Sequence, residues 1–280
     1  MRGGDKNGAT TSEGRGGTPL TPARKVREAD KLYAKLPRFG RLVERTLDFI
    51  DQSLSTIPGG MFVSFSGGKD STVLLDLVRR ILPDTPAVFA DSGAEFPETL
   101  EFIASTPGVK IYYPELSILE MYRMVDAYGS TGGEYGKNEY HWAGRAVLDC
   151  IIVEPMKRAR QELNAIGQFI GLRSEESVAR RIVACKYGRL FQVKVGDWRC
   201  YPLMAWTTQD IWSYIVSRNL AYNAVYDKLA ELGVDRERAR MSTYLCASVL
   251  NFGEWAVLKR GWPELFNRLA AEFPEARCFV

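Results

Sequence analysis

The fold is decided by the stretch Met61-Phe62-Val63-Ser64-Phe65-Ser66-Gly67-Gly68-Lys69-Asp70-Ser71-Thr72. Its first five residues form a β-type apolar run, two glycines make a turn, and a helical pattern follows over residues 72–82. Two more short apolar runs, residues 87–90 and 109–113, flank a helix that opens at Pro97 and extends through Ile103. Strands that alternate with helices in this way predict a doubly wound α/β fold with a parallel sheet.

The rest of the chain supplies further elements. Residues 39–54 have helical spacing of apolar residues, residues 145–163 form a helix that Pro155 interrupts, and residues 167–172 form another buried strand. Thr207 or Thr208 caps a helix that runs through Val216, and the remainder to about residue 273 is mostly helical. We therefore expect a mostly parallel sheet flanked by helices, with a mainly helical C-terminal part.

The sequence also predicts how the chain is divided. Residues 1–23 are polar and Gly-rich and are expected to be a disordered tail. Residues 24–60 form an N-terminal helical segment, 61–206 a nucleotide-binding α/β domain, and 207–280 a helical C-terminal subregion of that same domain.

Composition excludes few functions. The hydrophobic fraction is 46%, the charged fraction is 25%, and no apolar stretch is long enough to cross a bilayer. The N-terminus lacks the pattern of a secretory signal, so we expect a cytoplasmic protein without a membrane partner. A net charge of +3 gives no global case for nucleic-acid binding. For two local basic clusters, around residues 157–160 and 236–240, two interpretations stay open: a solvated surface or a phosphate-binding site.

The glycine turn has the chemistry of a phosphate-binding loop. Gly67 and Gly68 allow backbone N–H groups to approach phosphate oxygens closely, and the following helix presents its positive end. Lys69 adds a positive charge, and Asp70 can hold the loop or help to bind Mg²⁺. Hydroxyl donors are available from Ser64, Ser66 and Ser71. Asp91-Ser92-Gly93 ends the next strand, at the sheet edge where such folds bind ligands.

The loop lacks the Walker spacing and resembles the PP-loop of the adenine nucleotide α-hydrolase superfamily, the N-type ATP pyrophosphatases. The resemblance implies ATP and Mg²⁺ as cofactors and cleavage between the α and β phosphates. It narrows to the phosphoadenosine phosphosulfate reductase-like branch through four segments, which are residues 91–99, 153–156, 171–177 and 201–212. By this likeness, Asp91, Ser92 and Gly93 line the nucleotide pocket and Arg173 faces phosphate or sulfate. Two roles of Glu95 stay open: a ligand for Mg²⁺ or a carboxylate at the start of a helix.

Among ATP-using members of that branch, the chain is closest in kind to the sulfurtransferases of DNA phosphorothioation. It keeps the intact loop, and its final residues 275–280 lack the Glu-Cys-Gly-Ile/Leu-His tail of the reductases. The likeness implies that the enzyme adenylates an acceptor, with Lys69, Asp70 and Arg173 as catalytic groups and Cys150 as a sulfur carrier. It also implies several partners: DNA, a cysteine desulfurase or other sulfur donor, and further subunits of a modification complex.

Several alternatives stay open at this stage. Cys150 and Cys246 are either sulfur carriers or buried, inert thiols. Both could also join Cys185 and Cys200 around an iron–sulfur cluster, although their spacing does not support one. A sulfate-assimilation enzyme that reduces phosphoadenosine phosphosulfate or adenylylsulfate is the alternative activity, and a nucleotide sensor without turnover is the non-enzymatic one.

Overall fold

The computed structural model describes residues 28–120, 148–194, 196–237, 239–241, 252–272 and 274–280. Its sheet has the spatial order β3-β2-β1-β4-β6-β5. The strands are β1 Gly60–Ser64, β2 Ala87–Ala90, β3 Val109–Tyr112, β4 Ala165–Ile170, β5 Leu190–Gln192 and β6 Trp198–Cys200. The β5–β6 pair is antiparallel, and every other pairing is parallel. The predicted doubly wound, mostly parallel sheet is thus confirmed.

Helices flank this sheet and fill the C-terminal part of the chain. They are α1 Glu28–Ala34, α2 Pro37–Thr56, α3 Lys69–Ile81, α4 Pro97–Ser105, α5 Glu154–Glu162, α6 Val178–Tyr187, α7 Thr208–Ser217, α8 Val225–Glu231, α9 Phe252–Gly261 and α10 Pro263–Glu272. Short 3₁₀ turns lie at Ser174–Glu176 and Pro274–Phe279, and a π-helical turn covers Asp149–Val153.

The alternation of side chains along β1 separates two apolar layers. Phe62 packs with Val88 and Tyr112 on the face that α5 covers. Met61 and Val63 belong to the larger core on the opposite face, which includes the apolar side of α3. Both layers are needed because parallel strands are buried on both faces.

The order of the strands creates a topological switch point between β1 and β4. From β1 the chain moves outward through β2 and β3, and it then returns to place β4 on the other side of β1. The segments that follow β1 and β4 therefore diverge at the carboxyl edge of the sheet and leave a crevice there. Ligands of doubly wound folds bind in this position.

The helix predicted with an interruption at Pro155 changes its hydrogen-bond pattern beside that residue. A π-helical turn, Asp149–Val153, leads directly into α5, which has Pro155 in its first turn. The strands β5 and β6 were not predicted, because each has three residues and neither is a continuous apolar run. The predicted tail, residues 1–23, lies outside the described residues.

Candidate active site

The loop between β1 and α3 has a backbone shape that requires glycine at Gly67. Its φ is +72°, in the left-handed region, and a Cβ atom there would lie 3.2 Å from Cδ1 of Ile103 on α4. Gly68 is the N-cap of α3 and has no side chain to cover the helix end. The first backbone N–H groups of α3 have no intrahelical acceptor, so the loop presents amide donors at the positive end of a helix.

The predicted serine donors fall into two groups. Ser66 and Ser71 hold the loop together, because Ser71 Oγ accepts from Ser66 N at 3.2 Å and donates to Gly68 O at 3.0 Å. Ser66 Oγ also accepts from Gly68 N at 3.3 Å. Ser64 belongs to the sheet instead, since its hydroxyl donates to Gln168 Oε1 at 2.9 Å on the neighbouring strand β4.

Three charged side chains meet at the N-terminus of α3. Asp70 Oδ1 accepts from Arg173 Nε at 2.6 Å, and Asp70 Oδ2 lies 3.1 Å from Lys69 Nζ. Lys69 and Arg173 are only 5% and 3% exposed. Asp70 follows β1 and Arg173 follows β4, so this ion pair closes across the switch point. The structure therefore brings together the predicted residues Lys69, Asp70 and Arg173.

The electrostatics of Lys69 favour an anion beside it. Burial lowers the pKa of Lys69; the nearby Asp70 raises it, while the Arg173 and Arg240 guanidinium groups lower it. The positive end of α3 adds further positive potential at the same place. A bound polyanion would add to the negative charge that Asp70 places beside Lys69.

Further charged residues extend this cluster outward. Glu175 pairs with Arg173 Nη1 and accepts from the backbone N–H of Thr208, the first residue of α7, at 2.7 Å. Glu176 pairs with Arg180 at the start of α6. Burial and then the neighbouring Arg240 lower the pKa of Arg180, which places two cations close together at the rim of the crevice.

Sequence reasoning missed the site roles of Tyr226 and Gly171. Tyr226 Oη accepts from Lys69 N at 2.9 Å, and its ring packs edge-on against Trp212. A Cβ atom at Gly171 would lie 3.2 Å from the carbonyl carbon of Asp70, so only glycine lets the end of β4 approach α3 this closely. Gly171 lies in a stretch noted for its family likeness, but no local pattern indicated the contact of either residue.

The turn after β2 forms a second wall at the carboxyl edge. Asp91 Oδ1 accepts from Gly93 N at 2.8 Å, and Gly93 has a φ of +84°. Ser92 Oγ donates to Glu95 Oε1 at 2.7 Å. Burial raises the pKa of Glu95 to about 7, with Ser92 opposing this shift and Asp91 adding to it. Glu95 is thus engaged with Ser92, and no described contact joins it to Asp70.

The cysteines are dispersed in the described part of the chain. Cys150 lies on the π-helical turn, where its Sγ donates to Leu116 O at 3.5 Å. Cys200 is fully buried against Ser53, and burial raises the pKa of its thiol to about 12. Cys185 and Cys278 are exposed, and Cys246 lies outside the described residues. Among the residues that the structure describes, no three His, Cys, Asp or Glu side chains are grouped to hold a metal.

Other predictions also find their place. Trp206 and Trp212 are both buried core residues. Arg236, from one of the two basic clusters, is not solvated: it forms a buried ion pair with Asp30 of α1 at 3.0 Å. No described helix combines the length and the apolar character needed to span a membrane.

Comparisons with known proteins agree with this geometry. The model of the phosphoadenosine phosphosulfate reductase domain family matches residues 60–244. An uncharacterized protein of Methanocaldococcus jannaschii is 29% identical over 248 residues, which are 85% of this chain and 54% of that protein. The chain therefore spans about half the length of that relative.

Two proteins named for a reaction are also similar. The phosphoadenosine 5'-phosphosulfate reductase of Klebsiella pneumoniae is 30% identical over 186 residues, 63% of this chain and 69% of the reductase. The crystal structure of the phosphoadenylyl-sulfate reductase from Candida auris is 20% identical, covers 73% of this chain and 88% of that one, and superposes with a TM-score of 0.48.

Proposed function

Because the chain belongs to the phosphoadenosine phosphosulfate reductase domain family, we propose that it is a nucleotide-using enzyme of sulfur chemistry which cleaves ATP to AMP and pyrophosphate. The observation that carries this proposal is the buried pair of cations, Lys69 and Arg173, at the open N-terminus of α3. Buried cations need counter-charges, and a triphosphate supplies them in a row.

The residues of the loop have distinct parts in this reaction. The amides of the first turn of α3 bind phosphate oxygens, and Lys69 lies where negative charge grows as pyrophosphate departs. Asp70 keeps both cations oriented through its two carboxylate oxygens. Such groups stabilise a departing anion without reorganising, which is the main way that proteins catalyse phosphoryl and adenylyl transfer.

Magnesium fits this site only together with the nucleotide. Proteins usually bind Mg²⁺ through one or two carboxylates and the phosphates of the substrate. Asp70 would be the protein ligand nearest to the phosphates, whereas Glu95 is hydrogen-bonded to Ser92 on the second wall. When bound, the ion would neutralise phosphate charge beside Lys69.

The finer proposal concerns the acceptor. We take it to be an anionic oxygen that AMP activates and that sulfur then displaces, as in phosphorothioation of DNA. The phosphorus of a phosphodiester resists attack by sulfur because its non-bridging oxygen is a poor leaving group, and adenylation lets that oxygen depart as part of AMP. Cys150 is the proposed sulfur carrier, loaded as a persulfide by a cysteine desulfurase or another donor. The outer sulfur attacks phosphorus as AMP leaves, and an external thiol reductant then cleaves the S–S bond to Cys150 and leaves the phosphorothioate. Support for this acceptor comes from the intact loop rather than from the relatives.

The test is the release of pyrophosphate from ATP and Mg²⁺ by the purified chain, with and without DNA and a persulfide donor. Lys69→Ala is the inactive variant, and Lys259→Ala, at an exposed position on α9, controls for a lysine-to-alanine change away from the loop. We expect release by the wild type and the Lys259 variant and none by the Lys69 variant. Absence of pyrophosphate in every mixture would refute ATP cleavage.

Reduction of a sulfonucleotide is the second candidate, favoured by the 30% identity to the Klebsiella pneumoniae reductase over 186 residues. It predicts that sulfite is released from phosphoadenosine phosphosulfate or adenylylsulfate when a thiol reductant supplies two electrons, without any ATP. Measuring sulfite and pyrophosphate in parallel reactions separates the two activities, because neither reaction yields the product of the other.

A further inference from the structure

A basic band follows the active-site turn along the chain. Residues 177–196 contain five basic residues and no acidic ones: Arg180, Arg181, Lys186, Arg189 and Lys194. The chain as a whole has a net charge of +3, so all the other residues together sum to −2. The band therefore has a local net charge of +5, which exceeds that of the whole chain.

The band is also exposed to solvent. It consists of α6 and the strand β5 with the turn after it, and α6 has no buried residue. Arg181, Lys186 and Lys194 are exposed, whereas Arg180 pairs with Glu176 and Arg189 packs over the ring of Phe49. A helix that buries none of its residues gains little from packing, so its exposed cations are available for a partner.

The band is continuous with the active site. Glu176 Oε2 accepts from Arg173 N at 3.1 Å and also pairs with Arg180 in the first turn of α6, so one carboxylate joins the band to the site. The rest of α6 continues from Arg180 with no buried residue. A long anion that lies on the band would have one part of itself beside Lys69 and Arg173.

We propose that this band binds the phosphodiester backbone of a nucleic acid and presents it to the active site as the acceptor. The inference rests on the proposed function, because it gives the anionic acceptor a place on the protein. Arg181, Lys186 and Lys194 are exposed cations on one short stretch of chain. A polymer with a negative charge at every nucleotide can contact several of them at once, which an isolated anion cannot do.

The positive charge of the band could also attract an acidic protein. Two exposed apolar residues of α6 are compatible with such a partner. Val178 is 61% exposed and Ile182 is 60% exposed. The charges favour nucleic acid, because all five ionic side chains of the band have the same sign. Protein interfaces tend to deplete lysine and to centre on an apolar core, whereas nucleic-acid interfaces are strongly positive.

The experiment measures binding of the full chain to fluorescently labelled 20-nucleotide DNA, single-stranded and duplex, by anisotropy at several salt concentrations. The test variant is Arg181→Ala/Lys186→Ala. The control is Lys110→Ala/Arg260→Ala, which removes the same charge from exposed positions on the opposite edge strand β3 and on α9. Thermal unfolding and binding of an ATP analogue check that both variants are folded with an intact loop.

Two phosphate contacts should disappear in the test variant. For duplex DNA, each contact contributes about 0.9 to the slope of log K against log salt, so we expect the slope to fall by about 1.8. At 0.1 M salt this corresponds to a loss of roughly 60-fold in affinity, since each contact is worth about 8-fold there. The control variant should stay within about twofold of the wild type, and whichever DNA form binds more tightly identifies the acceptor.

Equal losses in both variants, salt-independent binding, or no binding to either DNA would overturn the proposal, and the last result would point to an acidic protein instead. Binding is measured without turnover, so it is independent of pyrophosphate release. A chain that binds DNA through the band but releases no pyrophosphate would leave this inference standing and refute ATP cleavage. The reverse pattern would refute only the band.

Discussion

Replacing Gly171 with alanine tests whether the close approach of β4 to α3 shapes the phosphate loop. The new Cβ would lie 3.2 Å from Asp70 C, 3.3 Å from Asp70 O and 3.3 Å from Ser71 N, where ordinary contact begins at 3.4 Å. These neighbours are backbone atoms, so the first turn of α3 must move by roughly 0.2 Å or more. The φ of Gly171 is not positive, and the effect of alanine is therefore steric.

Overpacking of this kind costs about 1–3 kcal/mol, and each kcal/mol lowers the Tm of a chain this large by roughly 2–4 °C. The moved amides and Arg173, which Asp70 orients, are the groups that we propose to bind phosphate. We expect the Kd for an ATP analogue to rise about tenfold, or 1.4 kcal/mol, near the lower end of what one hydrogen bond to a charged group contributes. Calorimetric titration measures the Kd, and thermal unfolding measures the Tm.

Gly60→Ala is the matched control for this experiment. A Cβ atom there would lie 3.3 Å from Asn164 O, an equally tight contact with backbone, but at the amino end of β1 and away from the loop. We expect it to lower the Tm to a similar extent and to leave the Kd unchanged. Equal effects of both variants on the Kd, or a normal Kd in Gly171→Ala, would refute the role of this contact.

Three further predictions follow from buried charges. Lys69→Met should abolish nucleotide binding. It should also raise the Tm at pH 7, because burial lowers the pKa of Lys69 and the protonated lysine therefore disfavours folding. The difference in Tm between variant and wild type should shrink as the pH rises toward 10.5. An unchanged Tm would contradict this reasoning. The Tm of Glu95→Gln minus that of wild type should grow from pH 4.5 to about pH 7 and then stay constant. Over that range the wild type loses stability, because its folded state must give up a proton that it holds more tightly than the unfolded state does. A difference independent of pH would show that Glu95 is not the titrating group. Asp30→Ala removes the carboxylate that pairs with the buried Arg236 and should cost about 3–5 kcal/mol in chemical denaturation. A loss below about 1 kcal/mol would contradict the importance of this ion pair.

The sequence predicted the elements that local patterns define. The strands β1, β2 and β3, the phosphate loop and the helix start at Pro97 each depend on a few adjacent residues, and the structure has them within a few positions of the prediction. The edge strands β5 and β6 were missed because Leu190–Gln192 and Trp198–Cys200 are short and half-buried. Their strand character comes from pairing with each other and with β4, which no local pattern records.

The candidate site was predictable in its residue types but not in its contacts. Lys69 and Asp70 were chosen for their chemistry and Arg173 for its family likeness, and their roles remain predictions. Lys69 is buried, and its backbone N–H donates to the hydroxyl of Tyr226. Glu175 accepts from the backbone N–H of Thr208. Both hydrogen bonds join residues that are far apart in sequence. Such contacts follow from the strand order, which the alternating pattern of elements leaves open.

The ion pair across the switch point has a consequence for how the chain acquires its site during folding. Asp70 and Arg173 are separated by 103 positions, and they meet only when β4 has docked beside β1. The unit of β1, β2 and β3 can form from contacts that are closer in sequence, whereas docking of β4 must first close a loop of nearly a hundred residues. The proposed nucleotide site therefore forms late, and a nascent or truncated chain that ends before β4 has the glycine loop without the Arg173 guanidinium.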